Sequence, residues 1–181
     1  MLAEAALADT LEAVARCCVS RRILALDGAP GSWLPPGFKV VSQVPGAFDR
    51  RLAAAWTQAG GPGVQIGMDT PQVTPRLLDD ALAAVDRSGS ALGPAADGGW
   101  WAIGLRRPNP AVFLGVPMST RATGAAQHRR LRALGLDVEV LPTLVDVDTV
   151  KALRAVVAAA PRTCTAAVAA RLGLVDPPAR A

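Results

Sequence analysis

Apolar residues return at helical spacing at the start of the chain, where Leu2, Ala6, Leu7, Leu11 and Val14 share one face of residues 2–17. This spacing predicts an amphipathic helix. The pattern then shortens into "RRILALDG", an apolar run closed by Asp-Gly that reads as a buried strand and a turn. "APGSWLPPG" is too rich in proline and glycine for regular structure and reads as a loop. "FKVVSQ" follows as a second strand, and "AFDRRLAAAWTQA" as a second helix stopped by the glycines of "GGPG".

The next strand, "VQIGM", runs into Asp69. Thr74 is a good N-cap with Pro75 at the first helical position, so a third helix opens there through "RLLDDALAAVDRSG". "SALGPA" reads as a strand that breaks at Pro94, and "GWWAIGL" as another; "TGAAQHRRLRALGL" is a helix, "DVEVLP" a strand and "TVKALRAVVAAA" a helix after the acidic turn "DVDT". Alternation of this kind predicts a layered α/β sheet with helices on both faces. No internal repeat or long linker divides the chain, which is expected to form one domain over residues 1–160, with a C-terminal helix and a frayed tail over 161–181.

Composition narrows the function. At 181 residues and 51% hydrophobic content the chain has enough material for one sizeable core. The formal charge is +4, but the basic residues are scattered, and no stripe for nucleic acid stands out. The densest run, Arg121, Arg129, Arg130 and Arg132, reads either as a solvated helix face or as a surface for an anionic ligand. Cys17, Cys18 and Cys164 have no metal-type spacing, which implies a reducing, cytoplasmic setting. No apolar run reaches the length of a membrane span. The single histidine, His128, lies in the basic helical run and reads as a surface residue, so no Ser-His-Asp or Cys-His constellation can be built around it.

Candidate chemistry rests on aspartates at strand ends. In α/β sheets ligands gather beyond the carboxyl ends of the strands, and Asp69 sits at such an end. There it either holds a hard cation with its phosphate ligand or caps a turn. Asp97 precedes Gly98, Gly99, Trp100 and Trp101, a loop able to approach a ligand closely. One tryptophan should face the core and the other either stacks on a sugar or base or packs internally. Asp146 and Asp148 point the same way if extended, and either complete a metal site or cap the following helix. Ser119, Thr120 and Thr123 offer hydroxyls ahead of another helix, as a phosphate or acceptor loop or an ordinary N-cap.

Taken in order, "IGMDTP", "GPAADGGWWAIGL", "VPMSTRATGAAQ" and "DVDTV" resemble a bacterial family of GT-A-like proteins carried as a domain of unknown function, some members of which are named arsenosugar-biosynthesis glycosyltransferase. The resemblance covers residues 2 to 156. It implies a three-layer α/β/α fold of the nucleotide-diphospho-sugar transferase type with a mainly parallel sheet. It also implies Mg2+ or Mn2+ at Asp69, Asp146 and Asp148, with Asp97 as the catalytic carboxylate. Gly67, Thr70, Gly98, Gly99, Trp100, Ser119 and Thr120 are the substrate contacts that follow.

One departure stands out. Relatives begin with a further strand and a basic glycine loop of the type "x-P-G-x-x-K-T-R-L", whereas this sequence opens at "MLAEAALADTL", within the helix that follows that loop. The fold is therefore expected to be N-terminally truncated, with a central strand missing and a homodimer or a partner chain compensating. The resemblance implies a metal-dependent glycosyltransferase using a nucleotide-sugar and a small-molecule acceptor, without nucleic acid or membrane partners. The alternatives are a nucleotidyltransferase acting on a phosphorylated small molecule, or a non-catalytic interaction protein that keeps the fold.

Overall fold

The computed structural model describes residues 1–176. Helices α1 (Leu2–Arg16), α2 (Phe48–Ala59), α3 (Pro75–Ser88), α4 (Thr123–Ala133), α5 (Val150–Ala159) and α6 (Cys164–Arg171) alternate with strands β1 (Arg22–Leu26), β2 (Phe38–Ser42), β3 (Gly63–Ile66), β4 (Gly89–Pro94), β5 (Trp100–Leu105) and β6 (Asp137–Val140). A short 3-10 helix occupies Pro110–Val112. The third helix starts where its cap chemistry requires, with the Thr74 hydroxyl accepting from the Leu77 amide at 3.2 Å and Pro75 at the first helical position.

The strands form two hydrogen-bonded sheets. β1 and β2 pair in parallel; the other four follow the order β3, β5, β4, β6. β5 runs antiparallel to both β3 and β4, while β4 and β6 are parallel, so three of these four strands point the same way. Among the described residues no strand joins β1 to β3. Arg21, just ahead of β1, donates to the Ala59 carbonyl at the end of α2 at 3.0 Å, which ties the entry of β1 to the segment leading into β3.

Helices cover both faces. On one side α1 and α3 bury Ala13, Leu78, Ala81 and Val85 against Ala91, Trp101 and Ala102 of the sheet. On the other, α2, the 3-10 helix and α4 bury Trp56, Phe113 and Leu131 against Leu92, Ile103 and Leu105. The division passes through a β-bulge. Gly93 pairs with Ala102 and Pro94 with Trp100, so Trp101 is the extra residue and shares its face with Ala102, while Trp100 lies on the other.

α6 joins the same unit, because it packs on α1 and its first turn is capped from there. Both oxygens of the buried Asp9 carboxylate accept from it, one from the Cys164 amide at 2.7 Å and the other from the Thr165 amide at 2.8 Å and hydroxyl at 2.6 Å. Leu174 and Val175 pack against the α5 and α6 core, within the stretch that the sequence leads one to expect as frayed. Residues 177–181 of that tail lie outside the described residues. No described helix is long and apolar enough to cross a membrane.

Candidate active site

Three loops at the carboxyl ends of β3, β4 and β6 carry the acidic residues. β3 ends at Ile66, and Gly67 continues the ladder by donating to the Trp101 carbonyl at 3.3 Å before the chain turns at Asp69. A side chain at Gly67 would place its Cβ 2.6 Å from the Asp69 carboxylate oxygen, so glycine gives that carboxylate its room. Thr70 is fully buried and its hydroxyl has no hydrogen-bond partner among the described residues.

Asp97 lies in a tight turn between β4 and β5. Its carboxylate accepts from the Gly99 amide at 2.7 Å, and Gly98 takes a φ of 98° with its amide on the Ala95 carbonyl. A Cβ at Gly98 would also collide with the carbonyl of Arg121, so this position needs glycine for two reasons.

The third loop is zipped onto the other two. Beyond β6, Leu144 bridges Ala95 in parallel, exchanging bonds with Pro94 at 3.1 Å and Ala96 at 2.8 Å. Gln72 donates to the Val145 carbonyl at 2.7 Å, and Val147 donates to the Asp69 carbonyl at 2.9 Å. These bonds bring one oxygen each of Asp97, Asp146 and Asp148 within 4.8 Å of one another. Asp69 stands beside this triad, close enough to interact with the charges of Asp148, Asp97 and Asp146.

Like charges packed this way resist ionisation. The Asp146 carboxyl is pushed up to about 7, first by burial and then by the negative charges of Asp69, Asp97 and Asp148. Burial, followed by Asp148 and Asp97, also raises Asp69. The cap of α5 is the Thr149 hydroxyl, which accepts from the Ala152 amide at 3.1 Å. One oxygen of Asp146 is buried without a partner among the described residues. An all-oxygen donor set with an unpartnered buried oxygen fits a hard divalent cation.

The remaining sequence-derived residues fall around this cluster. Ser119 has a φ of 58°, and the hydroxyls of Thr120 and Thr123 are occupied within their own loop, Thr123 donating to the Pro117 carbonyl at 2.8 Å and Thr120 accepting from the Ala122 amide at 3.2 Å. That loop meets the Asp97 turn where the Gly124 amide donates to the Gly98 carbonyl at 2.8 Å. Trp100 is half-buried with its ring 6.3 Å from that of Phe113, and Trp101 is fully enclosed with its indole N–H on the Pro142 carbonyl at 2.9 Å. His128, read from the sequence as a surface residue, is half-buried and lines a cleft beside Gly98 and Gly99. The spacing of Gly124 and His128, four apart on one helix face, is the signal that could have placed it there. Gln72, which ties the first loop to the third, left no such signal.

The profile of the bacterial family described as "Uncharacterized protein conserved in bacteria (DUF2064)" matches residues 7–120. The chain belongs to DUF2064. Among solved structures, this DUF2064 chain is similar to a candidate nucleotide-diphospho-sugar transferase from Desulfovibrio desulfuricans G20, at 25% identity and a TM-score of 0.82 over 96% of this chain and 83% of that one. It also resembles Rv0371c of Mycobacterium tuberculosis H37Rv in complex with manganese, at 22% identity and a TM-score of 0.52 over 83% of this chain and 85% of that one. A homolog of Rv0371c from Mycobacterium sp. strain JC1 matches at 19% identity and a TM-score of 0.54 over 86% of this chain and 83% of that one. The DUF2064 chain thus has the nucleotide-diphospho-sugar transferase fold. No curated protein matches it.

Proposed function

We propose that the chain is a metal-dependent glycosyltransferase that moves a sugar from a nucleotide-sugar to a small-molecule acceptor. The observation that carries this reading is the convergence of Asp97, Asp146 and Asp148, with a buried unpartnered oxygen on Asp146, at the strand ends of this fold. Magnesium or manganese bound there supplies the positive charge that neutralises a leaving diphosphate. The manganese in the Rv0371c complex agrees with that class of ion. Three free cysteines suit a reducing compartment.

Transfer requires a bond from the acceptor oxygen to the anomeric carbon, departure of the diphosphate with the electron pair of the broken bond, and a carboxylate to receive the acceptor proton. The sequence-based roles, with Asp69 as a ligand and Asp97 as the carboxylate for the proton, are exchanged in this proposal: the convergence of Asp97 with Asp146 and Asp148 supports Asp97 as a ligand, and Asp69 beside them would receive the proton. Manganese titration followed by a panel of sugar nucleotides tests the reading. Asp148→Asn should abolish metal-dependent nucleotide binding, and nucleotide binding that ignores both the metal and this substitution would overturn it. Release of pyrophosphate from a nucleoside triphosphate would instead select nucleotidyl transfer.

The seam between β1 and β3 favours one further property. Each strand has a described partner on one edge only, so a second copy of the chain contributing a strand there would satisfy both free edges. Light scattering on the purified chain should give the mass of a dimer; a monodisperse monomer would sink this assignment.

A further inference from the structure

A cleft of ≈ 290 Å³ runs from the turn beside Asp97 between the β4–β6 edge of the sheet and α4. Its walls are apolar, with Leu92 and Val140 among them. Val140 is 60% exposed on the outer strand, a large apolar side chain left facing solvent. Among the described residues only two polar side chains line the cleft, Arg121 and His128.

The backbone there has little left to offer a polar ligand. The Gly98 carbonyl accepts from Gly124 and its amide donates to Ala95; the Gly99 carbonyl accepts from Ala95 and its amide donates to Asp97. All four backbone polar groups of the turn are therefore spent. A sugar or a nucleobase set against this turn would gain no hydrogen bond from these groups, whereas the apolar walls favour an apolar body.

Charge decides the remainder. Among the described residues Arg121 forms no salt bridge, and its guanidinium can only donate hydrogen bonds. The imidazole of His128 adds a second nitrogen donor on the same lining. Both groups suit an anion.

We propose that this cleft is the acceptor subsite, built for a small flat apolar molecule that carries a carboxylate or phosphate held by Arg121 and His128. The assignment as acceptor rests on the reading of the acidic cluster as the donor's ion site. Gly98 and Gly99 of the cleft lining directly follow Asp97 in its turn, so a hydroxyl of the molecule set against that turn lies beside the acidic cluster.

Isothermal titration of the full chain without metal or nucleotide tests the subsite. The probes are 4-hydroxybenzoate, 4-hydroxyphenyl phosphate and the uncharged 4-methylphenol. At least one anion should bind about tenfold more tightly than 4-methylphenol, and Arg121→Gln should remove that advantage without changing 4-methylphenol binding. Whichever anion is preferred identifies the charged group. Ala125→Leu should block all three probes by filling the cleft while manganese binding at the acidic cluster is unchanged. Equal affinity for charged and uncharged probes, no binding of any probe by the folded chain, or anion binding that survives Arg121→Gln would overturn the subsite. Anion binding in a protein that binds no manganese would instead overturn the donor reading and leave an anion site.

Discussion

Val147 donates its amide to the carbonyl of Asp69 at 2.9 Å, a backbone bond across 78 positions of sequence that places Asp146 and Asp148 on either side of the residue anchored to the first acidic loop. With this bond in place, the carboxylates converge because their backbones are fixed, not because the side chains attract one another. Their charges oppose the arrangement, and the backbone holds it.

That opposition has a direction with pH. Between 3.8, the ordinary value, and about 7, the native Asp146 keeps a proton that the unfolded chain has lost. The native state then binds more protons than the unfolded one, so metal-free stability falls as pH rises across this window. Thermal unfolding without metal should show a lower midpoint at pH 7.5 than at pH 5, and Asp146→Asn should flatten that difference. Manganese affinity should run the opposite way, rising over the same window as Asp146 ionises.

The redistributed roles of Asp69 and Asp97 separate in a pair of variants. Asp97→Asn should weaken manganese binding by about tenfold or more, as expected for a lost ligand contact, whereas Asp69→Asn should keep the ion and lose turnover. Calorimetry reads the first effect and a sugar-nucleotide assay the second. Equal loss of metal by both variants would make Asp69 a ligand as well.

Gly98→Ala should be costly, because a Cβ there meets the Arg121 carbonyl and the residue holds a φ of 98°. A loss of about 1–3 kcal/mol of stability is expected. Denaturant melts measure it. Gly115→Ala serves as the comparison, since its φ is 77° but nothing lies within 4 Å of its Cβ, and the smaller loss there isolates the conformational part.

Asp9→Ala should release the first turn of α6 from α1. Three hydrogen bonds end on that carboxylate, and removing a cap of this kind costs about 0.5–2 kcal/mol, with more where buried donors lose their only partners. The expected outcome is a lower thermal midpoint with early proteolysis near residues 160–163, read by mass spectrometry of the fragments. Manganese binding by the intact variant should persist.

Much of the architecture was legible because it rests on local rules. The start of α3 follows from a threonine cap and a proline, and the end of α2 from a glycine that takes a φ of 62°. Aspartates at strand ends are legible in the same way. Their grouping was not: Asp97 reaches Asp146 through the Ala95 to Leu144 bridge, a long-range parallel pairing that no periodicity announces. The bulge at Trp101 was equally hidden, although alternation alone already sends the two tryptophans to opposite faces. Asp9 gave no sign of its task, since on a helical wheel it is one more polar residue in an amphipathic helix.

The bond from Asp9 to Thr165 joins residues 156 positions apart. Such a contact closes nearly the whole described chain into a ring, so the first turn of α6 is not capped by Asp9 until α1 is folded against the rest. Its amides should therefore be among the last to gain protection from hydrogen exchange and among the first to lose it, which makes the α1–α6 seam the natural reporter of when the domain is complete.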